Sequence, residues 1–270
     1  MRARGFTLVE LVVAIAITGV VMAFAAMFIM APVDGYEAVS RRAAVVDEVT
    51  AGWPEIEADL AHALPNSLRA RRNGSFVVLE MLRVVDVVRY MATPSGDFNV
   101  AGRFRGLVVP FDDSTYYLSV YNCGPPACAD AYTLAGSMTP AATRIQIDDI
   151  ALGQRVRVSP APVFAADAPR HRMYLVSGPV TYLCDEGQGT VRRYTRYSVA
   201  ANPASRDSPG ELALAGASST LVATGVTTCD FQASARSAVA PQTASLRLVA
   251  TRASGESVTM FHSGGSGWVP

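Results

Sequence analysis

The feature that most constrains this chain is an uncharged stretch from Leu11 to Ala31, in which Thr18 is the sole polar side chain. A helix needs about 20 apolar residues to cross a hydrocarbon core of roughly 30 Å, and this stretch is that long. A segment that is apolar on every side must lie in lipid or be covered by other helices. Arg2 and Arg4 precede it and Glu10 stands at its start. Basic residues on that side place the N-terminus in the cytoplasm, so the chain beyond about Pro32 is expected outside it. A carboxylate at the edge of such a segment is costly unless a cation lies close by, which marks Glu10 as a functional residue.

The order of these features separates the segment from an ordinary secretory signal, in which the apolar region precedes a small-residue cleavage site and is removed. Here the small residue, Gly5, comes first, so cleavage after it would leave the helix on the mature chain. Arg4-Gly5-Phe6-Thr7-Leu8-Val9-Glu10-Leu11 resembles the prepilin peptidase signal of type IV pilins and of type II secretion pseudopilins. The resemblance implies a cut between Gly5 and Phe6, N-methylation of Phe6, and a meeting of Glu10 with the free α-amine of a neighbouring subunit in a fibre. It also implies the partners: prepilin peptidase, other major and minor pilins along the N-terminal helix, and the bacterial inner membrane before assembly. The expected topology is single-pass with a periplasmic head, pilus-associated or at the cell surface after assembly.

The resemblance implies a leader (1–5), and the sequence pattern divides the rest into a membrane helix (6–31), an amphipathic stem helix (32–65) and a β-rich head (66–270). Pro32 removes a backbone donor and predicts a kink. Tyr36, Val39, Ala43, Val46 and Val49 recur at helical spacing, Gly52-Trp53-Pro54 predicts a break, and a helical pattern resumes from Glu55 to Leu64. From Phe76 the period changes. Phe76–Leu82, Val84–Tyr90, Tyr116–Tyr121, Arg144–Ile147, Arg155–Val158 and Met173–Ser177 read as strands. Val180–Cys184 and Val191–Tyr197 form the clearest hairpin. Late strands fit Gly225–Gln232, Ala244–Thr251 and Ser257–Phe261, whereas Met91–Arg105 and Asn202–Gly210 read as loops and Ser263–Gly267 as a flexible tail. The fold class is α+β: a long N-terminal membrane-spanning helix packed on a mostly antiparallel β-rich head.

Lys+Arg 23 balances Asp+Glu 23, so the chain has no net basic surface and no strong nucleic-acid binding is expected. Four cysteines, an even number, suit an oxidising compartment. Cys123 and Cys128 enclose a short, turn-prone loop. Of the three connectivities that four cysteines allow, Cys123–Cys128 with Cys184–Cys229 is preferred. His62, His171 and His262 stand far apart, and solvated or hydrogen-bonded structural roles are expected for them. Asp112-Asp113 and Asp148-Asp149 carry oxygens of the kind calcium uses but lack the alternating spacing of an EF-hand, so turn and strand-end roles are expected. No catalytic pair, phosphate loop or nucleophile elbow is visible. The expectation is a non-enzyme with no cofactor and no metal.

Beyond the N-terminal signal, three stretches carry a finer resemblance: Ala63–Arg69, the run His171–Cys184 into the hairpin ending Gly189–Tyr194, and Val258–His262. Together they resemble the MshO-type minor pilins of mannose-sensitive haemagglutinin (MSHA) pilus systems; a J-type pseudopilin of type II secretion is the alternative. A head of roughly 200 residues would crowd a repeating shaft. A role in priming or tip capping is therefore expected, with a binding role for the exposed head as a second possibility.

Overall fold

The computed structural model describes residues 7–123, 129–134, 136–236, 240–251 and 255–267. They fall into two compact units, Met1–Asp47 and Glu48–Pro270. The architecture is α+β, with an N-terminal apolar helix followed by a β-rich region built on a curled antiparallel sheet.

Helix α1 (Leu8–Thr50) is 43 residues long and runs as one element through Pro32. Its first part, Leu8–Phe28, has a mean hydropathy of 2.6 and is long and apolar enough to cross a membrane. Thr18 hides its hydroxyl in the helix, donating to the Ala14 carbonyl at 2.7 Å, which leaves no unsatisfied donor on an apolar surface.

Two turn residues separate α1 from α2 (Trp53–Ala61). The break falls where Gly52 passes against Val222; a Cβ on Gly52 would lie 2.1 Å from the Val222 Cγ1 and 2.7 Å from its carbonyl oxygen. Only glycine fits so close an approach. Pro54 does not interrupt a helix but occupies the first turn of α2, where its missing N–H costs nothing. The helix ends at Ala61 rather than at Leu64.

The strands are β1 (Arg69–Asn73), β2 (Phe76–Tyr90), β3 (Asp97–Ala101), β4 (Phe111–Asp113), β5 (Tyr117–Ser119), β6 (Arg144–Ile150), β7 (Gly153–Ser159), β8 (Arg172–Asp185) and β9 (Thr190–Thr195). Helix α3 (Pro209–Leu214) lies before β10 (Ser218–Thr224), β11 (Val226–Ala233), β12 (Thr243–Thr251) and β13 (Ser257–Gly265). The large sheet has the order β10-β9-β8-β2-β3-β7-β6-β4, with β1 on β2 and β5 on β8; the small sheet is β11-β12-β13.

The axis of the head is the antiparallel pair β2–β8, in register from Phe76 opposite Asp185 to Arg89 opposite Arg172. The sequence pattern divides each into two shorter strands. The structure runs each through as one, with register shifts around Arg83–Asp86 facing Gly178. Gly178 has φ 117°, a conformation open to glycine. Such bulges bend a strand and raise its twist. One half of β2 therefore pairs β1 and the other half pairs β3, and β8 likewise changes neighbour from β5 to β9. The curled sheet packs several apolar clusters, among them one that includes Val100, Leu118, Ile145, Val156 and Leu175 and one that includes Leu64, Leu82, Val84 and Tyr132.

Three further expectations are corrected. The stretch Met91–Arg105 contains β3, whose Phe98 and Val100 are buried. Asn202–Gly210 leads into α3, which Ser208 caps by accepting from the Glu211 N–H. The Gly-Ser ending is not a loose tail: β13 reaches Gly265, and the buried Ser266 hydroxyl donates to the Ala63 carbonyl at 2.6 Å.

In the small sheet, burial alternates along β12, with Ala244, Leu246, Leu248 and Ala250 inside. One face is thus packed and one solvated, as expected of an antiparallel sheet. Cys184 of β8 and Cys229 of β11 form a disulfide with Cα atoms 6.5 Å apart, joining the two sheets. The Cys123–Cys128 pairing falls on residue 128, outside the described residues.

Candidate functional site

The N-terminal motif carries the candidate site. Gly5 and Phe6 lie outside the described residues. From Thr7 onward the local geometry follows directly from sequence. Thr7 precedes the first turn of α1 with Glu10 three residues on. The Glu10 N–H donates to the Thr7 hydroxyl oxygen at 3.3 Å, and the Thr7 N–H and hydroxyl both donate to Glu10 Oε2 at 3.0 Å. This reciprocal arrangement is a capping box, which satisfies donors that a helix start leaves without partners. Glu10 is thus held by its own chain through one oxygen. Among the described residues, Oε1 accepts no hydrogen bond.

The capping role of Thr7 is absent from the sequence reading, although Thr7-Leu8-Val9-Glu10 before an apolar run is the pattern that signals it. Around the motif the helix exposes large apolar side chains: Leu8 is 79 % exposed, Ile15 64 % and Phe24 60 %.

In the head, the acidic and basic side chains are arranged for docking elements together. Asp59 of α2 is buried and accepts from Arg83 of β2 at 3.0 Å, Tyr182 of β8 at 2.7 Å and Arg193 of β9 at 2.6 Å. One carboxylate thereby fixes α2 to three strands. Burial pushes the Tyr182 hydroxyl up, and the Asp59 charge adds to the effect. Glu80 of β2 pairs with Arg69 of β1 at 2.6 Å and accepts from the Tyr197 hydroxyl at 3.1 Å. Arg69 lies 3.5 Å over the Tyr132 ring. Burial pushes the Glu80 carboxyl up, against the pull of Arg69. Arg72 donates to Glu186 at 2.8 Å and to the Cys229 carbonyl at 2.5 Å, bracing the disulfide strand from β1.

The other sequence candidates are dispersed. The His62 ring lies 2.8 Å from the Ala58 carbonyl, His171 stacks on Tyr90, and His262 lies against Trp53 and 3.4 Å from Glu57. Asp112 accepts a two-pronged pair from Arg144, and Asp148 pairs with Arg157. Asp149 accepts from Gln154 at 3.0 Å and Arg103 at 3.4 Å. The Arg144 hydrogen bonds hold the Asp112 carboxyl down at about 2. These acids face arginines rather than one another. Among the described residues, no group of three His, Cys, Asp or Glu side chains is placed to hold a metal ion.

Comparison with known families matches residues 1–26 to the prokaryotic N-terminal methylation motif. Neither the curated proteins nor the solved structures give a match. The chain therefore carries a type IV prepilin-like signal, and the motif marks it as similar to type IV pilins or pseudopilins. Such a signal implies processing by a prepilin peptidase and association with other pilins. The motif and the apolar helix behind it together fit anchoring in a membrane.

Proposed function

We propose that the protein is a minor pilin that takes part in assembling, priming or tip-capping a type IV pilus of the MSHA type. The observation that carries this reading is a methylation signal fused to a 21-residue apolar helix with Glu10 at its start. Cleavage after Gly5 would free the α-amine of Phe6 and keep the helix. Glu10 Oε2 would hold its own helix start, while Oε1 would accept the α-amine of the next subunit. A charge-assisted bond of this kind in an apolar bundle satisfies a carboxylate that would otherwise be expensive. Arg2 and Arg4 set the N-terminus on the cytoplasmic side and the head in the periplasm before assembly.

The head is too large to repeat comfortably along a shaft, which supports a place at the tip or in an initiation complex. The reading assigns the head no reaction: Asp112 and Asp148 sit in separate arginine pairs, and the three histidines make separate carbonyl, carboxylate or ring contacts.

The test is intact mass and N-terminal sequencing of the membrane-extracted protein, with a deletion strain examined for fibres. A chain beginning at methylated Phe6, together with loss of pili on deletion, is the expected result. A chain still beginning at Met1 in cells with active prepilin peptidase would overturn it. Intact pili with loss of type II secretion would reassign the protein as a J-type pseudopilin.

A further inference from the structure

An open cleft of about 410 Å3 lies where the end of β2, the start of β8 and the exit from β3 meet. Four arginines line it, Arg89, Arg103, Arg105 and Arg172, with Asp86 as the sole acid in its lining. We propose that this cleft binds the anionic groups of an acidic polysaccharide.

The charge placement makes the case. Arg89 stands directly opposite Arg172 in the β2–β8 ladder, and like charges in that position oppose each other. The β3 residue facing Arg89 is Ala101, too small to fill the space. Asp86 offsets one of the four positive charges and leaves the lining net basic, and its oxygens accept from backbone rather than from the arginine side chains. Its Oδ1 accepts from the Val87 N–H at 2.7 Å, and its Oδ2 accepts from the N–H groups of Arg105 and, at 3.4 Å, Gly106. Those bonds hold the Arg105 segment against the cleft.

Arg103 reaches Asp149 only at 3.4 Å, with both side chains about half exposed, a contact of little strength. Arg172 hydrogen-bonds Tyr174. Among the described residues, no carboxylate pairs with Arg89 or Arg105. On the adjoining strands β6 and β7 the pattern differs: Arg144, Arg155 and Arg157 each have an aspartate of their own.

Guanidinium groups present planar forks that match carboxylate, sulfate and phosphate oxygens. The cleft is also within the size range of ligand sites, and larger than a single inorganic anion requires. No aromatic side chain lines it, so it lacks the stacking platforms on which single-stranded nucleic acids settle. The arginines of the adjoining strands β6 and β7 are each matched by an aspartate, so on that side the basic lining does not extend into a track for a duplex. At Arg89 β2 is paired on both sides, by Arg172 of β8 and Ala101 of β3, so a peptide cannot add as a strand at that residue. The apolar lining consists of Val87, Val88 and Ala101, too little to seat a peptide's apolar anchors. A hydrophilic chain with repeated acidic groups fits these conditions, and the inference does not rest on the pilus assignment.

The test uses the full chain in neutral detergent and titration calorimetry with a heparin-derived oligosaccharide (sulfated) and an oligogalacturonate (carboxylated). Inorganic phosphate, a DNA duplex and an acidic peptide serve as comparison ligands. Binding of either oligosaccharide is expected to weaken about tenfold or more in R89Q/R105Q, since two charge-assisted contacts are lost. It should weaken less in R89K/R105K and stay within about twofold in R155Q, whose arginine is matched elsewhere. Thermal unfolding of R89Q/R105Q is expected at or above the wild-type temperature, because the opposed pair is gone. If it falls, R105Q alone carries the test, being outside the ladder. Failure of both oligosaccharides to bind, equal loss in R155Q, or Arg89/Arg105-dependent preference for phosphate, DNA or the peptide would each overturn the proposal.

Discussion

The first turns of α1 and the central strands β2 and β8 are built from the same residues and treat them in opposite ways. Val12 is 58 % exposed and Ile15 64 %, whereas Val77 is 2 % and Leu79 0 %. Burying a side chain of this size is worth about 1.5–3 kcal/mol wherever it occurs. In the head that gain comes from strands of the same chain, and the sheet curls to collect it. In the helix the covering material must be something else: the apolar run and the methylation motif fit anchoring in a membrane, and such a signal implies association with other pilins. Apolar composition states that a segment must be covered; it does not state by what.

Placing one substitution in both regions gives the sharpest contrast. Leu79→Arg puts an uncompensated charge at the centre of the β2–β8 sheet, a cost of several kcal/mol, and is expected to unfold the head, read as loss of cooperative melting by circular dichroism. Asp59→Ala is next, at roughly 3–5 kcal/mol, because Arg193 and Arg83 lose the carboxylate that pairs them. Thermal denaturation of the full chain in detergent measures it; an unchanged melting temperature would mean that the α2 anchor contributes only packing. Ile15→Arg costs membrane insertion about 2.5–3.5 kcal/mol and should shift the protein toward the soluble fraction. The melting of the head should be unaffected. A drop in head stability would erase the distinction between the two regions.

Smaller effects probe the ends of each element. Thr7→Ala removes the capping box and should cost about 1 kcal/mol at the helix start, seen as faster amide exchange of the first turn in micelles. Asp112→Asn has the least effect, since both Asp112 and Arg144 are exposed. The native carboxyl of Asp112 titrates at about 2, below its ordinary 3.8. Its contribution is therefore present above pH 3.8 and lost as pH falls through about 2. The difference between wild type and variant should shrink over that window, and an NMR titration of the Asp112 carboxyl checks the midpoint.

Some of the head was legible in the chain. The alternation in Ala244–Thr251 and the hairpin from Val180 to Tyr197 correspond to β12 and to the β8–β9 pair. What misled was punctuation. Arg83 and the Gly178-Pro179 pair look like strand ends, yet they sit in the middle of paired strands where bulges accommodate them. Arg69–Asn73 has no apolar alternation and is a strand because β2 offers it a ladder. The same holds for the Gly-Ser ending, whose hydrogen bonds lead to Ala61 and Ala63 far away in sequence.

By itself, the sequence determined the N-terminal device. The apolar run, its basic flank, Gly5, Thr7 and Glu10 lie within a few residues of one another in the sequence, so order along the chain is enough to specify them. Only the tertiary structure decided how the head is arranged: the single long β2 and β8, the two separate sheets that the expected Cys184–Cys229 pair joins, the buried Asp59 anchor and the arginine cleft. Each joins residues far apart in sequence, and no local pattern encodes contacts that exist only once the sheet has curled and brought their strands together.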